Sequence, residues 1–337
     1  MKRERGSIVS LVLVTLLIAC ATESDGRITG ARAGGGPSFD VASYSDWSAP
    51  VNVGPPVNTA FAELIPAVSK DGLSLYFQCF NCPENLGAAD IWVSQRASVD
   101  APWGPPRNLG PTVNSAFTEG DPTLSRDGHR LFFNSNRPPP DGFGGNDIYV
   151  ARRRDKRDDF GWQPPENLGN GVNTAATEVA PEYFEDDATG TITLYFTSDR
   201  PGGPGGTDIY ASTLQPDETF GPAVLVTELS TPSRDEGPAI RRDGLELFLA
   251  SDRPGSIPPP PGMPAQVIDL WVATRLSTSE PWSTPVNLGP VVNSQFIESG
   301  PALSFDGTRL YFHSPFRPGN VSTQFDLWVT TRSKLKE

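Results

Sequence analysis

The strongest constraint in this chain is a motif that recurs five times. Its fullest form reads W-x-x-P-x-N-L-G-x-x-V-N, then E-x-x-P-x-x-S-x-D-G, then L-Y-F-x-S-x-R-P-G, then D-I-W-V. The anchor aromatic stands at Trp47, Trp103, Trp162, Phe220 and Trp282, a mean spacing of about 59 residues, which marks an array of supersecondary units. A unit of this size cannot bury its apolar face alone, so the copies must pack on one another.

Within each unit the pattern is that of β-structure. Gly (33 residues) and Pro (35) punctuate short apolar runs, and no stretch free of them keeps a helical period. The first strand of each unit is expected at 66–69, 122–125, 181–184, 238–241 and 301–304. Four of these end in an Asp-Gly pair (Asp71-Gly72, Asp127-Gly128, Asp243-Gly244, Asp306-Gly307), whose glycine supplies the positive φ of a tight hairpin. The third unit has a longer excursion at 185–191, which should protrude. The second strand carries an unbroken apolar triplet such as Leu75-Tyr76-Phe77, suited to a strand covered on both faces. The third carries Asp90-Ile91-Trp92-Val93 and its equivalents at Asp147, Asp208, Asp269 and Asp326. Aromatics placed once per repeat are expected to be packing residues, not a sugar-stacking platform.

The order of the pieces dictates closure. Residues 47–54 match the segment that follows the third strand elsewhere, whereas the last unit ends on its third strand at 326–330. The expected fold is therefore all-β: a five-bladed β-propeller of four-stranded antiparallel blades over 47–332, closed by pairing of the N-terminal strand with the last blade and followed by a tail at 333–337. Closure hides sheet edges that would otherwise invite aggregation. The run P-x-x-S-x-D-G-x-x-L-Y-F-x-S-x-R-P followed by D-I-Y-V resembles the WD40-like propeller repeat of the TolB type, over about 285 residues. That resemblance implies an exported or envelope-associated docking platform. The amino-terminal α/β domain of TolB has no counterpart here, so the resemblance implies a scaffold without naming a partner.

Residues 1–5 are basic and 7–19 form an apolar run too short to span a bilayer, the pattern of a signal peptide at 1–19. Its end, Leu17-Ile18-Ala19-Cys20, resembles the bacterial lipobox. This implies lipidation of Cys20, with Ala21 pointing to the outer membrane. Acyl chains anchor at about 0.8 kcal/mol per buried methylene, and residues 20–46, with Gly34-Gly35-Gly36, read as a flexible spacer. The net charge is −13, and loss of Lys2, Arg3, Glu4 and Arg5 brings it to about −15, which argues against nucleic acid as a partner. The basic run at 152–157 is followed by Asp158 and Asp159 and is expected to be a solvated loop. Cys79 and Cys82 form a C-x-x-C pair expected to be a local disulfide in an oxidising compartment. Zinc would want four ligands, and His129 and His313 are the only histidines.

One acidic position recurs in every unit: Glu63, Glu119, Glu178, Asp235 and Glu298. These five carboxylates could ring one channel mouth and bind a cation or cationic ligand. They could equally pair with the arginine of S-x-R-P (Arg137, Arg200, Arg253, Arg317; Asn81 in the first unit) or cap backbone amides. Because they recur in every copy, the structural role is expected. The third-strand aspartates are expected to hold turn backbone beside glycine-rich loops at 142–145 and 202–206. Calcium is the cation such loops would take, and no cofactor is otherwise expected. The functional expectation is a lipid-anchored, monomeric, non-enzymatic scaffold that binds envelope proteins. Its contact loops would be the symmetry breaks at 79–83, 185–191 and 258–264. The alternative is a carbohydrate-binding or glycoside-hydrolase-like propeller with axial carboxylates.

Overall fold

The computed structural model describes residues 43–262 and 267–335. The signal peptide, Cys20 and nearly all of the spacer lie outside the described residues. Twenty strands form five antiparallel four-stranded sheets. Blade 1 holds β2 (Ala62–Val68), β3 (Ser74–Phe80), β4 (Ala89–Gln95) and β5 (Arg107–Asn108). Blade 2 holds β6 (Glu119–Leu124), β7 (Arg130–Ser135), β8 (Asp147–Arg152) and β9 (Glu166–Asn167). Blade 3 holds β10 (Glu178–Glu185), β11 (Ile192–Ser198), β12 (Asp208–Thr213) and β13 (Val224–Leu225). Blade 4 holds β14 (Asp235–Ile240), β15 (Glu246–Ser251), β16 (Asp269–Thr274) and β17 (Val286–Asn287). Blade 5 holds β18 (Ser299–Leu303), β19 (Arg309–Pro315), β20 (Phe325–Thr331) and, from the start of the chain, β1 (Val51–Asn52). Val51 pairs with Val329 and Asn52 with Trp328, so the expected closure is present. The five first strands, β2, β6, β10, β14 and β18, contact one another in a ring around the axis. The molecule is a five-bladed β-propeller.

These innermost strands begin earlier than the sequence pattern suggests. Each runs through the recurring acidic residue or starts just after it, then breaks register at a bulge. The residue before the proline sits at positive φ in every blade: Ile65 (42°), Asp121 (52°), Ala180 (48°), Gly237 (59°) and Gly300 (61°). A bulge leaves one residue out of the ladder, so the proline that follows removes no pairing bond. Holding Ile65, Asp121 and Ala180 there costs on the order of 1–3 kcal/mol each. That strain is a fixed feature of the strands lining the axis.

The anchor tryptophan has a mechanical cause. At the end of the third strand an arginine stacks on it and reaches into the neighbouring Asp-Gly turn. Arg96 lies 4.1 Å from the Trp103 ring and Arg96 Nε donates to Gly72 O at 2.7 Å. The same arrangement joins Arg153, Trp162 and Gly128 O, Arg275, Trp282 and Gly244 O, and Arg332, Trp47 and Gly307 O. Blade 3 has Phe220 as its anchor, Leu214 where the arginine would stand, and no Asp-Gly turn. All three parts are lost together there, and residues 187–190 of its longer turn are exposed.

Apolar packing runs between blades. Tyr76, Ile91 and Val93 of blade 1 form one cluster with Leu131, Phe133 and Tyr149 of blade 2, and the second-strand triplets are buried throughout. The basic run at 152–157 corrects the expectation of a wholly solvated loop. Arg153 and Asp159 are both buried and paired at 2.6 Å. Asp159 also accepts from Ser74 Oγ (2.5 Å), Tyr76 Oη (2.5 Å) and Gln95 Nε2 (2.8 Å) of blade 1. Arginine at that position serves the anchor tryptophan, and its carboxylate partner bridges two blades.

Candidate active site

The five recurring carboxylates sit inside the blades, away from the axial cavity. Each has 0% exposure and caps the chain four residues upstream. Glu63 accepts from Thr59 N and Oγ1 (3.0 and 2.5 Å), and Glu119 from Ser115 N and Oγ (2.7 and 2.6 Å). Glu178, Asp235 and Glu298 repeat the pattern with Thr174, Thr231 and Ser294. The S-x-R-P arginines complete the clamp. Arg137, Arg200 and Arg317 lie 3.3, 3.1 and 2.8 Å from their carboxylates, and Arg253 pairs with Asp235. Fully desolvated carboxylates need such partners.

Blade 1 departs from this clamp. With Asn81 in the arginine's place, Glu63 has no cation beside it, and burial pushes its carboxyl up to about 7. Cys79 stands where the other blades have a serine that donates to the carboxylate, and its Sγ lies 3.8 Å from Glu63 Oε1. Cys79 and Cys82 are disulfide-linked, with Cα atoms 5.8 Å apart. Glu63 and these two sulfurs lie within 4.8 Å of one another, and the disulfide occupies both sulfurs.

The third-strand aspartates hold loop backbone. Asp147 Oδ2 accepts from Phe143 N at 2.7 Å, Asp208 Oδ2 from Gly205 N at 3.1 Å, and Asp269 Oδ2 from Ile257 N at 2.8 Å. Asp90 and Asp326 do the same with Leu86 N and Val321 N, both within 2.8 Å. Burial raises the carboxyls of Asp147, Asp208, Asp269 and Asp326 above the usual range.

A different set of acids reaches the axis. The innermost strands enclose a cavity of about 130 Å³ that opens at the hairpin-turn end of the channel. Asp121 of β6 and Glu182 of β10 line it. They occupy different repeat positions: Asp121 is the bulge residue before Pro122, whereas Glu182 follows Pro181. The other blades carry Ile65, Ala180, Gly237 and Gly300 at the first position, and Ala67, Thr123, Ala239 and Ala302 at the second. Neither acid is required by the fold, since its equivalents are apolar, small or hydroxylic.

Their partners come from adjoining blades. Asp121 Oδ2 accepts from Ala180 N at 3.0 Å, and from Asn134 Nδ2 at 3.0 Å with that amide's nitrogen turned toward it. Glu182 Oε1 accepts from Ile240 N at 3.0 Å and its Oε2 from Thr123 Oγ1 at 3.1 Å, joining blades 2, 3 and 4. Both keep some surface toward the cavity and are otherwise enclosed by protein. Burial therefore raises Asp121 to about 6, helped by the negative charge of Glu236, and raises Glu182 to about 7. Glu236 is a third non-equivalent acid, in β14, and accepts from Thr207 Oγ1 at 3.1 Å. His313 is buried inside β19. Burial lowers its pKa to about 3, so it is neutral, and its Nδ1 accepts from Ile65 N at 3.2 Å. A neutral acid, a carboxylate and an enclosed cavity can together move a proton onto a leaving group and off an attacking water.

An acid present in one copy only carries no repeat signal, whereas the recurring acids stand out in every unit. Asp121, Glu182 and Glu236 are each the lone carboxylate of an otherwise non-acidic repeat column, a mark they share with Glu166, Glu185 and Glu246.

No family model and no curated protein matches this chain. Solved structures do. An α-L-arabinofuranosidase from Lactobacillus brevis is similar at a TM-score of 0.54 and 16% identity, covering 82% of this chain and 92% of its own. A GH43_1 enzyme from Xanthomonas citri gives 0.54 and 18%, covering 84% and 90%. The α-L-arabinofuranosidase PaAbf62A from Podospora anserina, solved with cellotriose, gives 0.53 and 13%, covering 85% and 97%. At these identities the likeness is one of fold. It corrects the expectation of a non-enzymatic protein-binding scaffold, because these similar structures are arabinofuranosidases and a GH43_1 enzyme. The physical reason for the misreading is that fold-required acids hid the cavity acids.

Proposed function

We propose that this TolB-type repeat propeller is a glycoside hydrolase that works with its axial carboxylates. The observation that carries the reading is the presence of Asp121 and Glu182 in one cavity, at positions the repeat does not require. Glycosidic bond cleavage needs one carboxyl group to protonate the leaving oxygen and a second, ionised, to activate water or attack the sugar. Burial raises both carboxyls, Asp121 to about 6 and Glu182 to about 7, so Glu182 is the one pushed further toward holding its proton, and two carboxyls in different environments divide the two roles. Glu182 is then the proton donor and Asp121 the base. The fold likeness to arabinofuranosidases and GH43 enzymes supports the same reaction class. The test is incubation of the mature chain with a panel of aryl glycosides and oligosaccharides, beside Asp121→Asn and Glu182→Gln. Release of sugar by the wild type alone supports the reading. Absence of cleavage across the panel, or equal cleavage by both variants, overturns it.

A further inference from the structure

The cavity opens through an unusual mouth. The residue before each Asp-Gly pair converges there: Lys70 from blade 1, Arg126 from blade 2, Arg242 from blade 4 and Phe305 from blade 5. Lys70 Nζ lies 4.7 Å from the Phe305 ring centre, and the guanidinium carbons of Arg242 and Arg126 lie 4.9 and 6.0 Å from it. Three cations surround one aromatic ring in a chain whose net charge is −13. The hairpins do not demand them. Each turn is closed by its own aspartate, with Asp71, Asp127 and Asp306 accepting from the serine two residues earlier.

Compensation at this mouth is incomplete. The blade 3 turn sends Asp187 to pair with Arg126 and to lie 3.5 Å from Arg242, with Arg242 and Asp187 about half exposed. Glu185, the blade 3 residue at the same repeat position, also lines the cavity and accepts from the Tyr183 hydroxyl at 3.3 Å. Lys70 makes no ion pair among the described residues. A second hollow of about 110 Å³ continues outward from Lys70 and Phe305, lined by Arg96 and Arg309 and also by Asp71 and Asp306.

We propose that this mouth is a subsite for an anionic substituent on the sugar chain, a uronate carboxylate or a sulfate ester. Lys70 and Arg242 pair with the anion, and Phe305 offers an apolar face to the ring that bears it. The choice of a sugar rests on the glycoside hydrolase reading, whereas the charge argument rests on the mouth alone.

Isothermal titration of the mature chain with three oligosaccharides of equal length tests it: an oligogalacturonate, a sulfated galactan and a neutral galactan. One anionic sugar should bind about tenfold or more tightly than the neutral one, the effect of one or more charge-assisted hydrogen bonds. That preference should shrink as salt is raised. It should vanish in the double variant Lys70→Gln/Arg242→Gln, whose thermal midpoint should be unchanged. The uronate and sulfate arms decide which anion is read. Equal affinity for charged and neutral sugars, no binding by any of the three, or a preference that survives in the double variant would each overturn the subsite. Charge-selective binding without cleavage would uphold the subsite and sink the hydrolase reading, and cleavage without charge selectivity would do the reverse.

Discussion

Asn58 and Leu327, 269 residues apart, exchange two hydrogen bonds: Asn58 Nδ2 donates to Leu327 O at 2.9 Å and Leu327 N donates to Asn58 Oδ1 at 2.8 Å. The side-chain amide thus mimics a strand neighbour at the junction of the first and last blades. Asn114, Asn173 and Asn293 grip Ile91, Ile148 and Leu270 in the same way. In the fourth copy Ser230 meets Ile209 at 3.2 and 3.5 Å.

Asn58→Ala should therefore weaken the ring at its seam. It leaves the buried Leu327 N–H without a partner, while Leu327 O keeps its bond from Val53 N at 3.0 Å, a loss of about 1–3 kcal/mol. Ser230→Ala removes a longer, weaker contact and should cost less. Urea unfolding of both variants checks this, and an Asn58→Ala loss no larger than that of Ser230→Ala would show that the seam is held elsewhere.

Blade 1 makes a prediction with a definite sign. Glu63 has its folded pKa raised from 4.5 to about 7 by burial, so the native state prefers its protonated form. Its stabilising contribution is complete below about pH 4.5 and is lost as pH rises through about 7. Glu63→Gln should thus be stabilising at pH 8 relative to wild type and near neutral at pH 4. Thermal midpoints at the two values measure it. A variant less stable than wild type at pH 8 would mean that the carboxylate is ionised and needed.

Much of this architecture was legible from residue order alone. Periodicity, Asp-Gly turns and the mismatch between the first and last elements led to five blades and to their closure, because those features are dictated by backbone geometry. The channel chemistry was less legible. Asp121 sits at a left-handed bulge that places its carboxyl beside the Ala180 amide, and no local pattern announces that a strand will bulge there. The repeat signal itself drew notice to Glu63, Glu119, Glu178, Asp235 and Glu298, whose recurrence reflects the clamp they form with hydroxyls and arginines. Function here lies in single-copy departures, which a consensus averages away.

Catalysis should show this departure directly. With both carboxyls raised by burial, Asp121 to about 6 and Glu182 to about 7, the pH dependence of kcat/KM should be a bell with its maximum shifted toward neutrality. Glu182→Gln should reduce turnover by on the order of 10²–10⁴ and remove the alkaline limb. Since the amide is neutral at every pH and Glu182 is buried, the variant should fold at least as stably above pH 7. Initial rates on the best substrate between pH 4 and 9 test both statements, and a bell retained by Glu182→Gln would reassign the proton donor.

We propose that the chain is exported and anchored through Cys20, the residue that closes the lipobox-like run. Cys20→Ser should release it into the soluble fraction of disrupted cells, since one polar side chain replaces acyl chains that bind by about 0.8 kcal/mol per buried methylene. Fractionation with immunodetection reads the outcome. Membrane association that survives the substitution would place the anchor elsewhere.

The buried pair of Arg153 and Asp159 predicts the opposite pH behaviour from Glu63. Although burial alone would raise it, hydrogen bonds from Ser74, Tyr76, Arg153 and Gln95 together hold the Asp159 carboxyl below its usual range. A depressed folded pKa contributes stability above the unfolded value, about 3.9 for aspartate, and that contribution is lost as pH falls through the folded value. Asp159→Asn leaves Arg153 buried opposite a neutral group, at a cost of about 3–5 kcal/mol near neutrality. The gap between variant and wild type should narrow as pH falls below about 4, where the unfolded chain's carboxylate takes up its proton before the native one does. Urea midpoints at pH 7 and pH 3 provide the comparison. Because Asp159 joins Ser74 and Tyr76 of blade 1 to Arg153 of blade 2, a gap that stays constant with pH would mean that the bridge acts through shape alone.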